Sequence, residues 1–125
     1  MPKKQTILLA EDDEKVRSMA QLLLENFGYE VISAIDGEDA VQRFRENRGR
    51  IKLLLFDVNM PKKGGIAAYD EIRIIEAGIK VIFTSGYAYA TEAVHLKAQD
   101  NNNIVWLPKP YVSTQLIEIV KRMLK

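Results

Sequence analysis

The chain is 125 residues long, the size of one domain, and its 47% hydrophobic and 28% charged residues suit a water-soluble globule with a real core. A formal net charge of +1 gives no broad attraction for nucleic acid or an anionic membrane surface. The absence of cysteine excludes disulfides, thiolate metal sites and cysteine nucleophiles.

Apolar runs reach only about six residues, far below the roughly 20 that span a bilayer. The opening Met1-Pro2-Lys3-Lys4-Gln5 has no apolar stretch suited to a secretory signal. The expectation is a cytoplasmic protein of one domain, residues 1–125, with a core of about 6–124.

Five short apolar runs punctuate the chain. The first, Ile7-Leu8-Leu9-Ala10, precedes a helical stripe of Val16, Met19, Ala20, Leu23 and Phe27, with Gly28 at the C′ position. The second, Val31-Ile32, is short enough for an edge strand, and Asp36 can cap a helix carrying Ala40, Val41 and Phe44. Leu53-Leu54-Leu55-Phe56 leads to a stripe of Ile66, Tyr69, Ile72 and Ile75 or Glu76, closed by Gly78. Val81-Ile82-Phe83 is followed by a weaker stripe of Ala90, Ala93, Val94 and Ala98. After Ile104-Val105-Trp106-Leu107, Ser113 or Thr114 can cap a last helix with Leu116, Ile117, Val120 and Leu124 facing inward.

Continuous rather than alternating runs suit strands buried on both faces of a parallel sheet. The runs start about 22 to 28 residues apart, room for one crossover helix each. The pattern is (βα)₅, and right-handed crossovers put helices on both faces of one sheet.

The polar residues then fall at one edge. Glu11 and Asp12 follow the first strand, Asp57 ends the third, Ser85 ends the fourth, and Lys109 lies just past the fifth. In open α/β sheets, ligands bind outside the carboxyl ends of the strands. With the order 2-1-3-4-5, common among doubly wound sheets, Asp57 lies beside Glu11 and Asp12. Three carboxylates so placed repel one another, and a hard divalent cation such as Mg²⁺ relieves this. A carboxylate can be a phosphoryl acceptor, and an ammonium and a hydroxyl complete the neutralisation of the new phosphoryl oxygens.

These residues resemble the response-regulator receiver family. The acidic pair stands in Ile7-Leu8-Leu9-Ala10-Glu11-Asp12-Asp13-Glu14, and Asp57-Val58-Asn59-Met60-Pro61-Lys62-Lys63-Gly64-Gly65 is similar to the family's D-x-x-M-P-x-x-x-G. The hydroxyl stands in Phe83-Thr84-Ser85-Gly86-Tyr87 and the lysine in Leu107-Pro108-Lys109-Pro110-Tyr111. The resemblance runs from about Thr6 to the end. It implies a flavodoxin-like fold with Asp57 as phosphoacceptor in a two-component phosphorelay.

The resemblance also implies the other roles. Mg²⁺, or Mn²⁺ in its place, is held by Asp12 directly, by Glu11 through water, by Asp57, and by the backbone carbonyl of Asn59. Ser85 hydrogen-bonds a phosphoryl oxygen, and Lys109 pairs first with the carboxylate and then with the phosphoryl group. The Lys109-Pro110 peptide is expected to be cis. Trp106 stands where the family carries a switching Tyr or Phe, and is bulkier than either. Ser85 and Trp106 would then switch the surface of the fourth helix, fifth strand and fifth helix. Partners implied are a histidine kinase or histidine phosphotransfer domain, with homodimerisation on phosphorylation as an option. No direct nucleic-acid or membrane partner is expected.

Ser-Gly-Tyr after strand four and Leu-Pro-Lys-Pro-aromatic after strand five resemble receivers attached to hybrid histidine kinases. As an isolated domain the chain is expected not to be an enzyme in its own right. The rival from another class is a Mg²⁺-dependent aspartyl-nucleophile phosphatase, whose D-x-D motif supplies a second Asp as acid–base. Here Asn59 occupies that place and cannot transfer a proton. Other polar residues have plainer readings. Asp13 is a helix cap, Lys62-Lys63 a solvated loop, and His95 a surface group. Tyr87 would shield the acyl phosphate from water.

Overall fold

The computed structural model describes residues 3–86 and 102–125. Five strands, β1 (Thr6–Ala10), β2 (Glu30–Ala34), β3 (Ile51–Asp57), β4 (Lys80–Ser85) and β5 (Ile104–Pro108), form one sheet. All neighbours are parallel, in the order β2-β1-β3-β4-β5. The helices described are α1 (Glu14–Asn26), α2 (Gly37–Glu46), α3 (Gly65–Ile75) and α4 (Ser113–Met123). The stripe expected over Ala90–Ala98, together with Tyr87 and His95, lies outside the described residues.

Period-two alternation splits each central strand between two cores. Leu8, Ala10, Leu54, Phe56, Val81 and Phe83 point to the α2/α3 side, where they meet Phe44, Tyr69 and Ile72. Ile7, Leu9, Leu53, Leu55, Ile82 and Leu107 point to the other, where they meet Leu24, Leu116 and Val120. Most of these side chains are completely buried. Each contributes about 1.5–3 kcal/mol on burial, enough in sum to carry a few buried charges at the sheet's rim. β2 is the edge strand that its short apolar run suggested.

The capping chemistry is local. Asp13 accepts from the Lys15 and Val16 N–H groups, and Asp36 from that of Asp39. At the other end of α1, the Gly28 N–H reaches the Glu25 carbonyl and the Tyr29 N–H the Leu24 carbonyl. This is a Schellman closure, and Gly28 at φ 92° makes it without a Cβ penalty.

Three expectations are corrected. On α1, Ala20 and Leu24 are buried, whereas Met19 is 72% and Phe27 51% exposed. Ala20 and Leu23 of the expected stripe do meet the core, and Leu24, one residue further on, is buried more deeply than either. α3 stops at Glu76, before Gly78, so Gly78 does not cap it. The N-cap of α4 is Val112, with Ser113 already helical, and the Gln115 side chain accepts from the Val112 N–H. Met123 joins Leu116, Ile117 and Val120 on the buried face of α4, and Leu124, as expected, packs against the same core while only partly buried.

Where the chain enters and leaves, it is tied to itself. Gln5, just before β1, donates to the carbonyl of Leu124 at 3.1 Å, and Lys80 at the start of β4 donates to that of Met123 at 2.7 Å. These bonds satisfy carbonyls that the end of α4 leaves without helical partners.

Candidate functional site

The carboxyl ends of the strands gather the polar residues that the sequence placed there. Glu11, Asp12 and Asp57 each offer a carboxylate oxygen, all within 4.8 Å of one another. Glu11 and Asp57 are buried and Asp12 is exposed. Parallel pairing of β1 with β3 aligns Ala10 with Phe56, so the residues one step further on emerge side by side.

Lys109 enters from the β5 end. Its Nζ lies 2.6 Å from Glu11 Oε1 and 3.5 Å from Asp57 Oδ2. The nearer partner is thus Glu11, not the Asp57 that the resemblance put first. The Lys109 N–H donates to the Ser85 carbonyl at 3.0 Å, which joins the lysine's backbone to the end of β4. The Lys109-Pro110 peptide is cis. Ser85 is almost wholly buried at that same strand end. Trp106, opposite Phe83 in the β4–β5 register, is half-buried against the α2/α3-side core.

Charge is crowded here. Burial first, and the neighbouring Glu11 charge second, lift the Asp57 carboxyl from the ordinary 3.8 to about 6, against the pull of Lys109 and of the Asn59 N–H. The Lys109 ammonium moves up as well. Burial works to lower it, but the Glu11 hydrogen bond and the Asp57 and Glu11 charges outweigh that. Burial also raises the Tyr111 phenol, so it stays neutral beside Lys109. One ammonium among three carboxylates leaves surplus negative charge. An all-oxygen donor set with that surplus fits a hard divalent cation, and Mg²⁺ above softer metals.

The loop after Asp57 is built by close backbone approach. The Gly65 N–H donates to the Val58 carbonyl at 3.1 Å, and a Cβ on Gly65 would lie 2.3 Å from the Asp57 carbonyl oxygen. Only glycine lets α3 start there. The Asn59 N–H lies 3.3 Å from Asp57 Oδ1, and the Gly37 N–H donates to the Lys63 carbonyl at 2.9 Å. Lys62 and Lys63 are not a purely solvated pair. Lys63 is paired with Glu71 of α3, and Lys62 approaches Asp36 Oδ2 at 4.0 Å. Their acidic partners sit on helices whose packing no local pattern reveals.

Two features escaped the sequence. Arg17 of α1 reaches back to the Glu11 carbonyl at 2.8 Å and the Asp12 carbonyl at 3.4 Å. A backbone acceptor leaves no mark in a sequence, so no signal there could have found it. Beside Lys109 an apolar groove of about 610 Å³ opens between α1 and the start of α4, lined by Val16, Met19, Leu23, Pro110 and Tyr111. The exposure of Met19 belongs to this groove, and the stripe reading had buried it.

The response regulator receiver domain family matches residues 7–121. The sensor kinase CckA of Brucella abortus is 37% identical over 120 residues, 96% of this chain but 12% of that protein. The transcriptional regulatory protein CpxR of Escherichia coli is 32% identical over 119 residues, 95% of this chain and 49% of that protein. The chain thus spans half or less of these relatives. The crystal structure of the receiver domain from the hybrid histidine kinase CckA superposes with a TM-score of 0.82 at 38% identity, covering 96% of this chain and 99% of that one. The fold and site define a flavodoxin-like receiver domain. This chain belongs to the response-regulator receiver family of two-component signalling, with receivers of hybrid histidine kinases among its relatives.

Proposed function

We propose that this chain, acting as a single receiver domain, accepts a phosphoryl group on Asp57 from a phosphohistidine, with Mg²⁺ as the metal. The observation that carries this reading is a buried carboxylate, Asp57, within 4.8 Å of two more and 3.5 Å from an ammonium. No structural role accounts for so much charge at the end of an apolar strand, because burying it is unfavourable.

Asp12, Asp57 and the Asn59 carbonyl are the oxygen donors for the ion, with Glu11 acting through water. When bound, Mg²⁺ supplies charge neutralisation and orientation of the phosphoryl oxygens. Asp57 Oδ attacks phosphorus, the P–N bond to the donor imidazole breaks, and its electron pair returns to the ring nitrogen. Lys109 follows the charge from carboxylate to phosphoryl oxygen, which is the transition-state contact that its reach permits. The Ser85 hydroxyl donates to a second phosphoryl oxygen. Drawing Ser85 toward that group frees space beside β4 into which the Trp106 ring turns. The receiving surface is that of β5, α4 and the segment before β5.

The donor is the phosphohistidine of a histidine kinase or phosphotransfer domain. The apolar groove beside Lys109 gives such a protein a seat within reach of Asp57. The domain is not an independent enzyme in this reading, since the phosphoryl group stays on it as signal.

The test is incubation with Mg²⁺ and acetyl phosphate, read by intact mass. One phosphoryl adduct is expected in the native chain and none in Asp57→Ala. An adduct that survives the substitution, or none at all in the native chain, overturns the proposal.

A further inference from the structure

We propose that Arg17 is a positioning residue for the metal site, holding the turn that presents Glu11 and Asp12. The proposal rests on the Mg²⁺-dependent reading of the acidic cluster.

The turn has one end fixed by the sheet. The Glu11 N–H still bonds across to the Ala34 carbonyl of β2 at 3.2 Å. Beyond that atom β1 ends, and the Glu11 and Asp12 carbonyls leave the ladder. Arg17 takes them over, with Nη1 at 2.8 Å from the first and 3.4 Å from the second. The Glu11 side chain is fixed by other groups. Oε1 accepts from Lys109 and Oε2 from the Asp13 N–H at 3.1 Å. One guanidinium nitrogen therefore spans the backbone of both residues whose carboxylates face Asp57.

Surplus negative charge nearby favours a cation here, but Arg17 pairs with none of the three carboxylates. Arg17 lies in the first turns of α1, where the helix dipole disfavours a cation. It stands beside a cluster suited to a second cation. It forms no ion pair among the described residues, and its donors go to carbonyls. Arginine's several N–H groups in a rigid fork suit this better than a single flexible ammonium does.

The two accounts predict opposite signs. If Arg17 acts only as a nearby positive charge, its removal relieves repulsion and Mg²⁺ binds more tightly. If it holds the turn, its removal frees Glu11 and Asp12, and Mg²⁺ binds more weakly although a repelling charge is gone.

The experiment is calorimetric titration of the full chain with MgCl₂, alongside thermal melts without metal. Arg17→Ala is expected to weaken Mg²⁺ binding about tenfold, an effect of the size that one backbone-directed, charge-assisted hydrogen bond commands. Arg17→Lys keeps the charge and one donor, and is expected to fall between native and Ala. Equal or tighter binding in a folded Arg17→Ala overturns the role. If Arg17→Ala does not fold, Arg17→Lys decides alone, and binding unchanged from the native chain overturns it. A native chain that takes up no Mg²⁺ overturns the underlying reading and this role with it, so the two failures are distinguishable.

Discussion

Two ion pairs at opposite ends of the sheet differ in what they require of the fold. Near the carboxyl ends of the strands, Lys109 and Glu11 pair with side chains only 26% and 5% exposed. At the amino-terminal end, Arg50 pairs with Glu30 at 57% and 46% exposure. Water solvates the second pair whether or not it forms, so it adds little. The first has lost most of its water, and each charge depends on the other. The apolar core that could have filled the space is instead interrupted by Glu11, Asp57 and Ser85. Charge buried at such cost is what sets the candidate site apart from the solvated charge at the other end.

The sharpest way to break this contrast is to remove one partner at the buried end. Lys109→Met should cost about 3 kcal/mol at neutral pH, the scale for stranding a buried charge. Urea unfolding should show the loss, and the loss should shrink towards about pH 5 as Asp57 takes up its proton. An equal loss at both pH values would mean that packing, not charge, is responsible.

Asp57 offers the converse. Its carboxyl titrates near 6 in the fold against 3.8 in the open chain. Between those values the folded state holds more protons than the unfolded, so metal-free stability rises as pH falls from about 6 to about 4. Above that window the full penalty is present. Asp57→Asn should therefore stabilise the metal-free chain at neutral pH by about 2 kcal/mol, discounted for partial solvation from the full shift. A melt in EDTA measures it, and no gain would show that the carboxylate is not strained.

Smaller effects probe the groove. Met19→Asp puts a charge where the groove is apolar and should slow transfer from a phosphorylated histidine protein about tenfold, or about 1.4 kcal/mol in barrier. Labelling by acetyl phosphate should not change, because a small donor does not need the groove and Met19 is not one of the acidic-cluster residues. Parallel slowing of both reactions would remove the groove from donor docking. Smallest of all, Arg50→Gln should move stability by less than about 0.5 kcal/mol. A larger loss would erase the distinction between the two ends.

Much of this was legible before any coordinates. A run such as Leu53–Phe56 announces its own end, and whatever polar residue follows must sit at the sheet's rim. Glu11, Asp57, Ser85 and Lys109 were placed by that logic alone. The partner that Lys109 prefers was not, since the choice between Glu11 and Asp57 depends on how a long side chain crosses from one strand end to another. On α1, Ala20 and Leu23 were read correctly, but Met19 and Phe27 were not, because an apolar side chain at helical spacing looks the same whether it meets the sheet or an open groove. Val112 as a cap carries no side-chain signal at all, and the bond from its N–H to the Gln115 side chain emerges only once the helix exists.

The bond from Gln5 to the Leu124 carbonyl has a consequence for how the domain can be held. Entry and exit of the chain meet at one pole, with the acidic cluster at the other. A pull on that pole loads the Gln5–Leu124 bond before it reaches the carboxyl ends of the strands. A restraint applied at that pole leaves the acidic cluster, and the groove beside Lys109, at the far end of the sheet.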